Sequence, residues 1–243
     1  MNILSRKKPF VSVVITAFNE EENLPKCLGA LKNQLYSKDE YEVIVVDNNS
    51  TDKTAEIAKK FGAKVILEKK QGYVYALRKG MDEAAGDIIA VTDSDTQVAS
   101  DWLLTIEKVF KKPDVVGITG MIEGDAKSKI GRKLQEVGYA IPMYASALIG
   151  RAFLVGFNFA VRKDAYIKAG RLNTKYEMSP DVELGIKLSK FGKVKIIDDM
   201  LVRTSTRRWK SDGVIKTFLD YCKGYYYAVW LRQPPPVKQS IVR

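Results

Sequence analysis

The chain of 243 residues is 46% hydrophobic and 28% charged, which suits one large globular domain or two small ones and excludes a chain disordered throughout. Its 40 Lys and Arg against 29 Asp and Glu give a net charge of +11. It contains no histidine, which excludes Ser-His-Asp triads, Cys-His pairs and His-ligated zinc, so that acid, base and metal chemistry must fall to carboxylates.

Two features of the sequence bear on location. No apolar run approaches the roughly 18 to 20 residues of a spanning helix, and the N-terminal residues carry no secretion signal. Two cysteines, Cys27 and Cys222, provide neither a disulfide framework nor a paired metal spacing, which suits a reducing compartment. We therefore expect a cytoplasmic protein.

The first half alternates between β-branched apolar runs and helical patterns. Buried strands are predicted at residues 10–17, 41–46, 63–67, 87–92 and 115–119. Between the first two strands, one apolar stripe at helical spacing consists of Leu24, Cys27, Leu28, Leu31 and Leu35, which makes Cys27 core filler. Further helices are predicted over residues 51–61 and from Trp102 to Phe110. Repeated βα units imply a mostly parallel sheet with helices on both faces.

The second half is less regular. A helix is predicted over residues 130–149, interrupted at Pro142, and a strand over residues 154–162. A helix from about Asp181 to Phe191 and a short strand at 194–197 follow. Three prolines at 234–236 end the folded part, and the residues after them are expected to form a loose tail.

Polar side chains follow three of the predicted strands, and parallel sheets bind ligands beyond the carboxyl ends of their strands. These side chains belong to Phe18-Asn19-Glu20, to Asp47 through Asp52, and to Asp93-Ser94-Asp95. Asp93 and Asp95, two residues apart, can turn both carboxylates to one side and suit Mg²⁺ or Mn²⁺. A capped turn leading into the next helix is the alternative.

The ends of the second and third predicted strands also suit a nucleotide. Asp47 can accept hydrogen bonds from a base or a ribose, and Asn49 belongs to a segment that opens a helix N-terminus, where backbone amides favour anions. An Asx turn or helix cap is the alternative for Asn49. Lys70 and Gly72, after the third strand, allow close approach of a diphosphate, although a surface loop would look similar.

Six motifs in order resemble family 2 glycosyltransferases of the GT-A fold. They are Thr16 to Glu20, Asp47 to Asp52, Gly72 with Ala76 and Gly80, Asp93 to Asp95, Gly156 to Arg162, and Pro180 to Leu184. The resemblance implies an α/β, Rossmann-like, single domain with a nucleotide-sugar-binding half (1–120) and an acceptor-binding half (121–232). The acceptor-binding half would end in a basic aromatic helix, and residues 233–243 would be the tail.

The resemblance also implies roles for single residues. Contacts with the nucleotide sugar are implied for Ala17, Phe18, Glu20, Asp47, Asn49, Lys70, Gly72, Asp93 and Ser94. Asp95 is implied as the direct metal ligand, with Asp93 near the ribose or the metal, so that the expected cofactor is Mn²⁺ or Mg²⁺. Asp181 matches the catalytic carboxylate, with a helix N-cap as the alternative. Contacts with the acceptor or the diphosphate are expected for Asn158, Glu183, Arg207, Arg208 and Trp209.

The chain departs from the family pattern at three positions. Asn48 stands where the family commonly has a second Asp, which puts base and ribose contacts in doubt, and Arg78 replaces a common Asn. The Gln of the QxxRW motif found in polymerising members is missing before Arg208-Trp209, where the chain has Thr204-Ser205, so repeated sugar addition is not expected. A family histidine that adds a metal ligand is also missing, which leaves that place to water or diphosphate oxygens.

The C-terminal part suggests an anionic partner. Residues 203–243 hold nine basic and two acidic side chains, and Tyr221 to Arg232 include four Tyr and one Trp, residues that favour membrane interfaces. A helix packing its aromatics on the domain is the alternative. We expect a metal-dependent inverting transferase, either cytoplasmic or peripheral on the cytoplasmic membrane face. It would use a UDP- or GDP-sugar and a hydroxyl or lipid-phosphate acceptor, on a glycan or a polyprenyl-phosphate-linked molecule. A non-catalytic protein that binds nucleotide sugar or nucleic acid is the alternative; no nucleic acid partner is expected.

Overall fold

The computed structural model describes residues 10–124, 128–150, 154–205, 207, 211 and 213–236. The apolar, β-branched runs form strands with the bounds β1 Val11–Ala17, β2 Tyr41–Asp47, β3 Lys64–Leu67, β4 Ile88–Asp93, β5 Gln97–Val98, β6 Val115–Ile122, β7 Asn158–Arg162 and β8 Lys193–Arg203. They join into one sheet in the order β3-β2-β1-β4-β7-β6-β8-β5. The first four of these in sheet order are mutually parallel, whereas β7 is antiparallel to both of its neighbours.

Helices connect and flank the strands. Their bounds are α1 Leu24–Lys32, α2 Thr54–Lys60, α3 Tyr73–Glu83, α4 Trp102–Phe110, α5 Lys129–Leu148, α6 Lys163–Lys168, α7 Pro180–Leu188 and α8 Val214–Tyr226, which continues as a π-helical segment, Tyr227–Leu231. Within the described ranges, no helix combines the length and the hydropathy needed to cross a bilayer. The predicted α/β fold, a mostly parallel sheet with helices on both faces, is confirmed.

The sheet separates two apolar clusters. One contains the buried stripe of α1, including Cys27, together with Trp102 and other side chains of α4. The other contains α3, α6 and α7 side chains. Gly80 lets α3 approach closely, because a Cβ at this position would lie 2.5 Å from Val14 Cγ1 and 2.7 Å from Val46 Cγ2. The core is thereby built around β1, β2 and β4, the strands whose ends carry the polar motifs.

Three expectations about elements are corrected. Leu35 is exposed, since α1 ends at Lys32 before the stripe reaches it. Helix α5 is continuous through Pro142, because Met143 and Ser146 beyond the proline are buried against the domain. Strand β8 extends well past the predicted 194–197. The exposed Asp198 and Asp199 interrupt the apolar pattern from which the strand is predicted, and the pairing with β6 shifts register.

Candidate functional site

The carboxyl ends of three parallel strands form one rim. In the sheet register Ala17 of β1 lies opposite Asp47 of β2, and Thr16 lies opposite Asp93 of β4. Ala17, Asp47 and Ser94 are buried at this rim, and Asp93 is half-buried. Parallel pairing therefore brings together predicted nucleotide and metal residues from segments far apart in the chain.

The loop after β1 is held against the loop after β2. Asn19 adopts a left-handed backbone (φ 54°) and its Oδ1 accepts a hydrogen bond from the Thr51 backbone N–H at 2.8 Å. The Glu20 N–H donates to Thr54 Oγ1 at 2.8 Å. These bonds fix the half-buried Phe18 and the buried Glu20 at the rim.

The segment after β2 is a tight turn. Asp47 Oδ1 accepts a hydrogen bond from the Ser50 N–H at 3.0 Å. Asn49 has φ 67° and an exposed side chain. Asn tolerates this left-handed conformation better than most residues, so the turn alone accounts for Asn49.

Asn48 joins two loops of the site, a role that sequence reasoning missed. Its Nδ2 donates to the carbonyls of Glu68 and Lys70 at 2.9 and 2.8 Å, and its Oδ1 accepts from the Gly72 N–H at 2.8 Å. An aspartate could not donate to two carbonyls, so this departure from the family pattern has a structural function here.

The loop between β3 and α3 presents Lys70 and Gly72 at the same rim. Gly72 has φ 135°, and a Cβ there would lie 3.0 Å from the Tyr75 ring, so the position requires glycine. The Lys70 ammonium lies 3.8 Å from the centroid of that ring. The side chain is exposed, which leaves its charge accessible to an anion.

Two carboxylates converge on one cation of the chain itself. Arg207 Nη2 lies 2.6 Å from Glu20 Oε1 and 2.9 Å from Asp95 Oδ2. Arg207, which the sequence predicts to contact the acceptor or the diphosphate, pairs here with the predicted metal ligand. Arg208 and Trp209, predicted for the same role, lie outside the described residues.

The donor set of this cluster fits a divalent cation. Asp95 and Glu20 supply hard oxygen ligands that already surround a positive charge, and Asp93 Oδ1 is buried beside them. The charges of Asp93, Asp95 and Glu20, after burial itself, raise the pKa of the neighbouring Cys27. The described part of the chain has no group of three or more acidic, Cys or His side chains placed to hold a metal ion. Diphosphate and water oxygens would complete the shell.

Replacing Arg207 by Gln is expected to tighten the binding of Mn²⁺ in the absence of nucleotide by about fivefold. The variant loses the ion pair that competes with Mn²⁺ for the carboxylates, and about 1 kcal/mol of competition corresponds to that factor. Isothermal titration calorimetry with Mn²⁺ alone measures this change. Arg203→Gln is the matched control, because Arg203 pairs with an exposed carboxylate, Glu123, at 2.6 Å. Equal Mn²⁺ affinity in Arg207→Gln and the unaltered protein would contradict the competition.

Asp181 is the second residue of α7 and lies beside the segment that precedes β7. Thr92 at the end of β4 pairs with Asn158, so the residues just before β7 extend past β4 toward Asp93. One of them, Gly156, hydrogen-bonds through its backbone to Asp181. Asp181 as a whole residue is half-buried. Burial raises the pKa of Asp181 to about 6, against the lowering effect of the backbone hydrogen bonds.

Aromatic side chains surround this carboxylate. The Tyr73 hydroxyl donates to the Gly156 carbonyl at 3.3 Å, and a Cβ on Gly156 would lie 2.8 Å from that hydroxyl. The Tyr139 ring packs 5.8 Å from that of Phe157, the residue after Gly156. Within the described residues the buried Tyr139 hydroxyl has no hydrogen-bond partner. Burial and the charge of Asp181 raise the pKa of Tyr139 well above its usual value.

Glu183 points to a different environment from Asp181. Two residues apart on a helix, the two side chains leave in nearly opposite directions. Glu183 pairs with Lys187 at 3.3 Å, one turn along α7. Burial raises the pKa of Glu183 while the Lys187 charge lowers it. The structure therefore gives Glu183 a partner within α7.

Asn158 is corrected from a ligand contact to a core residue. It is fully buried, and its Oδ1 accepts from Trp102 Nε1 at 2.9 Å. Its Nδ2 donates to the carbonyls of Met121 and Met200 at 3.0 and 2.8 Å. With these three bonds the amide is occupied inside the protein, where neither an acceptor nor a diphosphate reaches it.

Asn158→Leu is expected to lower the free energy of unfolding by about 3 kcal/mol or more, because it leaves the indole N–H and two carbonyls buried without partners. Urea denaturation measures this loss. Thr204→Val is a milder control, since Thr204 makes a single side-chain hydrogen bond, to Thr96 at 2.8 Å. A loss for Asn158→Leu no larger than that of the control would contradict the structural role of Asn158.

The C-terminal aromatic segment divides between the domain and the surface. Ala228 and Val229 pack against Tyr176 and Val182, and Tyr225 shares a hydroxyl hydrogen bond with Ser146 of α5. Other aromatics of this segment are exposed, namely Tyr221, Tyr226 and Trp230. Residues 221, 225 and 229, spaced one helical turn apart, thus become more buried toward the C-terminal end of the segment.

The fold is shared with a known transferase. The mannosyltransferase PcManGT from Pyrobaculum calidifontis, solved in complex with GDP-Man and Mn²⁺, superposes with a TM-score of 0.65 at 18% identity; the match covers 88% of this chain and 64% of that one. The likeness establishes the GT-A fold.

Curated relatives match in sequence. A dolichyl N-acetyl-alpha-D-glucosaminyl phosphate 3-beta-D-2,3-diacetamido-2,3-dideoxy-beta-D-glucuronosyltransferase from Methanococcus voltae is 26% identical over 91% of this chain and 77% of its own length. A beta-monoglucosyldiacylglycerol synthase from Nostoc is 33% identical over 74% of this chain and 41% of its own length, so the chain spans less than half of that relative. The family described as "Glycosyl transferase family 2" matches residues 12–170, about two thirds of the chain. The chain therefore belongs to glycosyl transferase family 2 and is a glycosyltransferase of the GT-A fold.

Proposed function

We propose that this protein transfers a hexosyl group, with inversion, from a UDP- or GDP-sugar to a hydroxyl of a glycan or polyprenyl-phosphate-linked acceptor. The observation that carries the proposal is the rim itself. Asp181, whose carboxyl has a raised pKa, would share it with the carboxylates of Asp95 and Glu20, which pair with Arg207. Residues 1–120 would bind the donor and residues 121–232 the acceptor.

The donor nucleotide would lie along the ends of β1, β2 and β4. Asp47 and the backbone of Ala17 and Phe18 would contact the base and ribose, with Ser94 beside them. Lys70 and Gly72 would lie at the diphosphate, because an exposed ammonium and a backbone without a side chain allow phosphate oxygens to approach.

A divalent cation, Mn²⁺ or Mg²⁺, would be held by Asp95 and Asp93 and would supply a Lewis acid that neutralises charge on the departing diphosphate. The chain's own part is to release Asp95 for this purpose. Arg207 can leave Asp95 and Glu20 for the negatively charged diphosphate, which would then take the place of the two carboxylates as its partner.

Asp181 would act as the general base. Its carboxylate removes the proton of the acceptor hydroxyl, and the acceptor oxygen forms a bond to the anomeric carbon. The bond from that carbon to the diphosphate breaks, and its electron pair leaves with the nucleoside diphosphate. A pKa of about 6 leaves Asp181 ionised at neutral pH yet more basic than an ordinary aspartate.

The acceptor would enter beside Asp181 and Tyr139. A base of raised pKa is needed for a hydroxyl, whereas a phosphate acceptor is already an anion, so the site favours a hydroxyl nucleophile. The Tyr139 hydroxyl, buried and unpartnered within the described residues, could bind the acceptor oxygen. The names of the two relatives, a dolichyl-phosphate-linked saccharide transferase and a glycolipid synthase, support a lipid-borne acceptor at a membrane face.

A thermal-shift screen tests the donor. We expect UDP or GDP, and one of their sugars, to raise the melting temperature only when Mn²⁺ or Mg²⁺ is present, because a ligand that binds the folded state stabilises it. Release of nucleoside diphosphate from the active sugar then separates an enzyme from a binding protein. Binding without turnover, in the presence of acceptor-containing lipid extract, would favour the non-catalytic alternative.

A further inference from the structure

Helix α5 turns a stripe of large apolar side chains to the solvent. This stripe, hereafter the α5 outer stripe, consists of Ile130, Leu134, Val137, Ile141 and Leu148, which are 76%, 68%, 40%, 63% and 88% exposed. Their spacings of four, three, four and seven residues place them on one side of the helix. A soluble surface normally carries such residues singly, so an aligned set of five indicates a docking face.

The opposite side of the same helix faces the site. Met143 and Ser146 are buried against the domain, and the ring of Tyr139 packs on Phe157. At 100° per residue, Tyr139 and Leu148 lie half a turn apart around the helix axis. Helix α5 therefore has two apolar sides, one packed on the acceptor side of the site and one without a cover among the described residues.

The neighbouring helix α8 adds exposed apolar groups. It contacts α5 through the Tyr225 and Ser146 hydroxyls. Its exposed large side chains, with those of the π-helical segment, include Phe218, Leu219, Tyr226 and Trp230. Tyr and Trp, with an apolar ring and a polar tip, suit the boundary between headgroups and acyl chains.

The charge of the chain favours a lipid surface over a second copy of the chain as the partner of the α5 outer stripe. Exposed cations accompany both helices, namely Lys129 on α5, and Lys216, Lys223 and Arg232 on or next to α8, while Lys133 of α5 pairs with Glu136 at 3.5 Å. Two copies of a chain with net charge +11 repel one another, whereas an anionic bilayer attracts each of them. Apolar side chains beside Lys and Arg are the pattern of helices that lie in a membrane interface.

We propose that the α5 outer stripe docks on an anionic lipid bilayer, with α5 parallel to the membrane plane. From Ile130 to Leu148 the helix is about 27 Å long, and its apolar side would enter about 5 to 10 Å into the headgroup and acyl boundary. This inference deepens the proposed function and rests on its lipid-borne acceptor. Because α5 is about 10 Å thick, its inner side would hold the acceptor site about one helix diameter from the headgroups.

Vesicle flotation of the full chain tests the docking without donor, metal or acceptor. We expect binding to vesicles of phosphatidylcholine with phosphatidylserine, weakened by salt, and little binding to phosphatidylcholine alone. Ile141→Glu with Leu148→Glu should weaken vesicle binding by at least about tenfold, because two carboxylates replace apolar groups that would enter the bilayer. Both side chains are exposed, so the melting temperature should not fall.

Leu35→Glu is the matched control, because Leu35 is 68% exposed and lies on the loop after α1. It should leave vesicle binding unchanged. Undiminished binding of the double variant, or no binding of the unaltered chain to anionic vesicles, would overturn the proposal. So would a dimer of the unaltered chain, seen by sedimentation velocity, that the double variant abolishes. None of these results involves transfer, so the transferase assignment is tested separately.

Discussion

Asp181→Asn is expected to lower the rate of sugar transfer by about 10²- to 10⁴-fold, the usual contribution of a general base. Asparagine keeps the shape of the side chain but cannot accept the proton of the acceptor hydroxyl. The dissociation constant of the metal-nucleotide complex should change little, since the base acts on the acceptor. Release of nucleoside diphosphate, with and without acceptor, and titration of nucleotide in Mn²⁺ measure the two quantities.

The pH dependence of the same reaction follows from the raised pKa. Only the ionised carboxylate is a base, so the transfer rate should rise with pH up to a plateau above about 6 and fall about tenfold per unit below it. In Asp181→Asn the residual activity should no longer show this acidic limb, the fall in rate below about pH 6. A limb that persists unchanged in the variant would assign it to another group.

Asp181→Asn should make the folded protein more stable at neutral pH even though it lowers activity. A carboxyl whose pKa is higher in the folded than in the unfolded state destabilises the protein once it ionises, so stability is lost as pH rises from about 3.8 to about 6. Asp181→Asn removes that cost and should raise the melting temperature at pH 7. Asp199→Asn, at an exposed position of β8, is the control and should alter neither activity nor melting temperature.

Asp95→Asn is expected to weaken nucleotide binding in Mn²⁺ by at least about tenfold to a hundredfold, because a neutral amide is a poor ligand for a hard cation. Binding measured in EDTA should stay at its lower, metal-free level in both proteins. The rate of sugar transfer in Asp95→Asn should fall together with the metal-dependent affinity, because the diphosphate would lose the cation that neutralises its charge.

The control for Asp95→Asn is Asp101→Asn. Asp101 lies six residues after Asp95 in the sequence. Its side chain is exposed and makes no capping hydrogen bond to α4. Metal-dependent affinity should be unchanged in this variant. If Asp95→Asn binds nucleotide with undiminished dependence on Mn²⁺, the cation is held elsewhere and the proposed donor site is wrong.

The rim could be predicted because it follows from local signals. Apolar runs ending in Glu20, Asp47 or Asp95 motifs identify strands, and parallel connections then gather those ends at one edge. The bonds of Asn158 could not be predicted, since its partners, Trp102, Met121 and Met200, lie far away in sequence and become neighbours only through the sheet order.

The outer face of α5 escaped prediction for a different reason. Periodicity identifies a buried side only when the opposite side is polar, and α5 carries apolar residues on both. Tyr139 and Met143 at one side and Ile141 and Leu148 at the other give no contrast in the pattern. Only the packing of the helix on the domain tells which set is exposed.

In the proposed mechanism, the pairing of Arg207 with Asp95 and Glu20 would make metal binding an ion exchange. The two carboxylates already have a counterion in Arg207, so a metal ion arriving alone would have to displace a guanidinium that has no new partner. A metal arriving with a diphosphate brings that partner along. Saturation with metal should therefore depend on the donor concentration, and an enzyme without donor should stay insensitive to ordinary changes in free Mg²⁺.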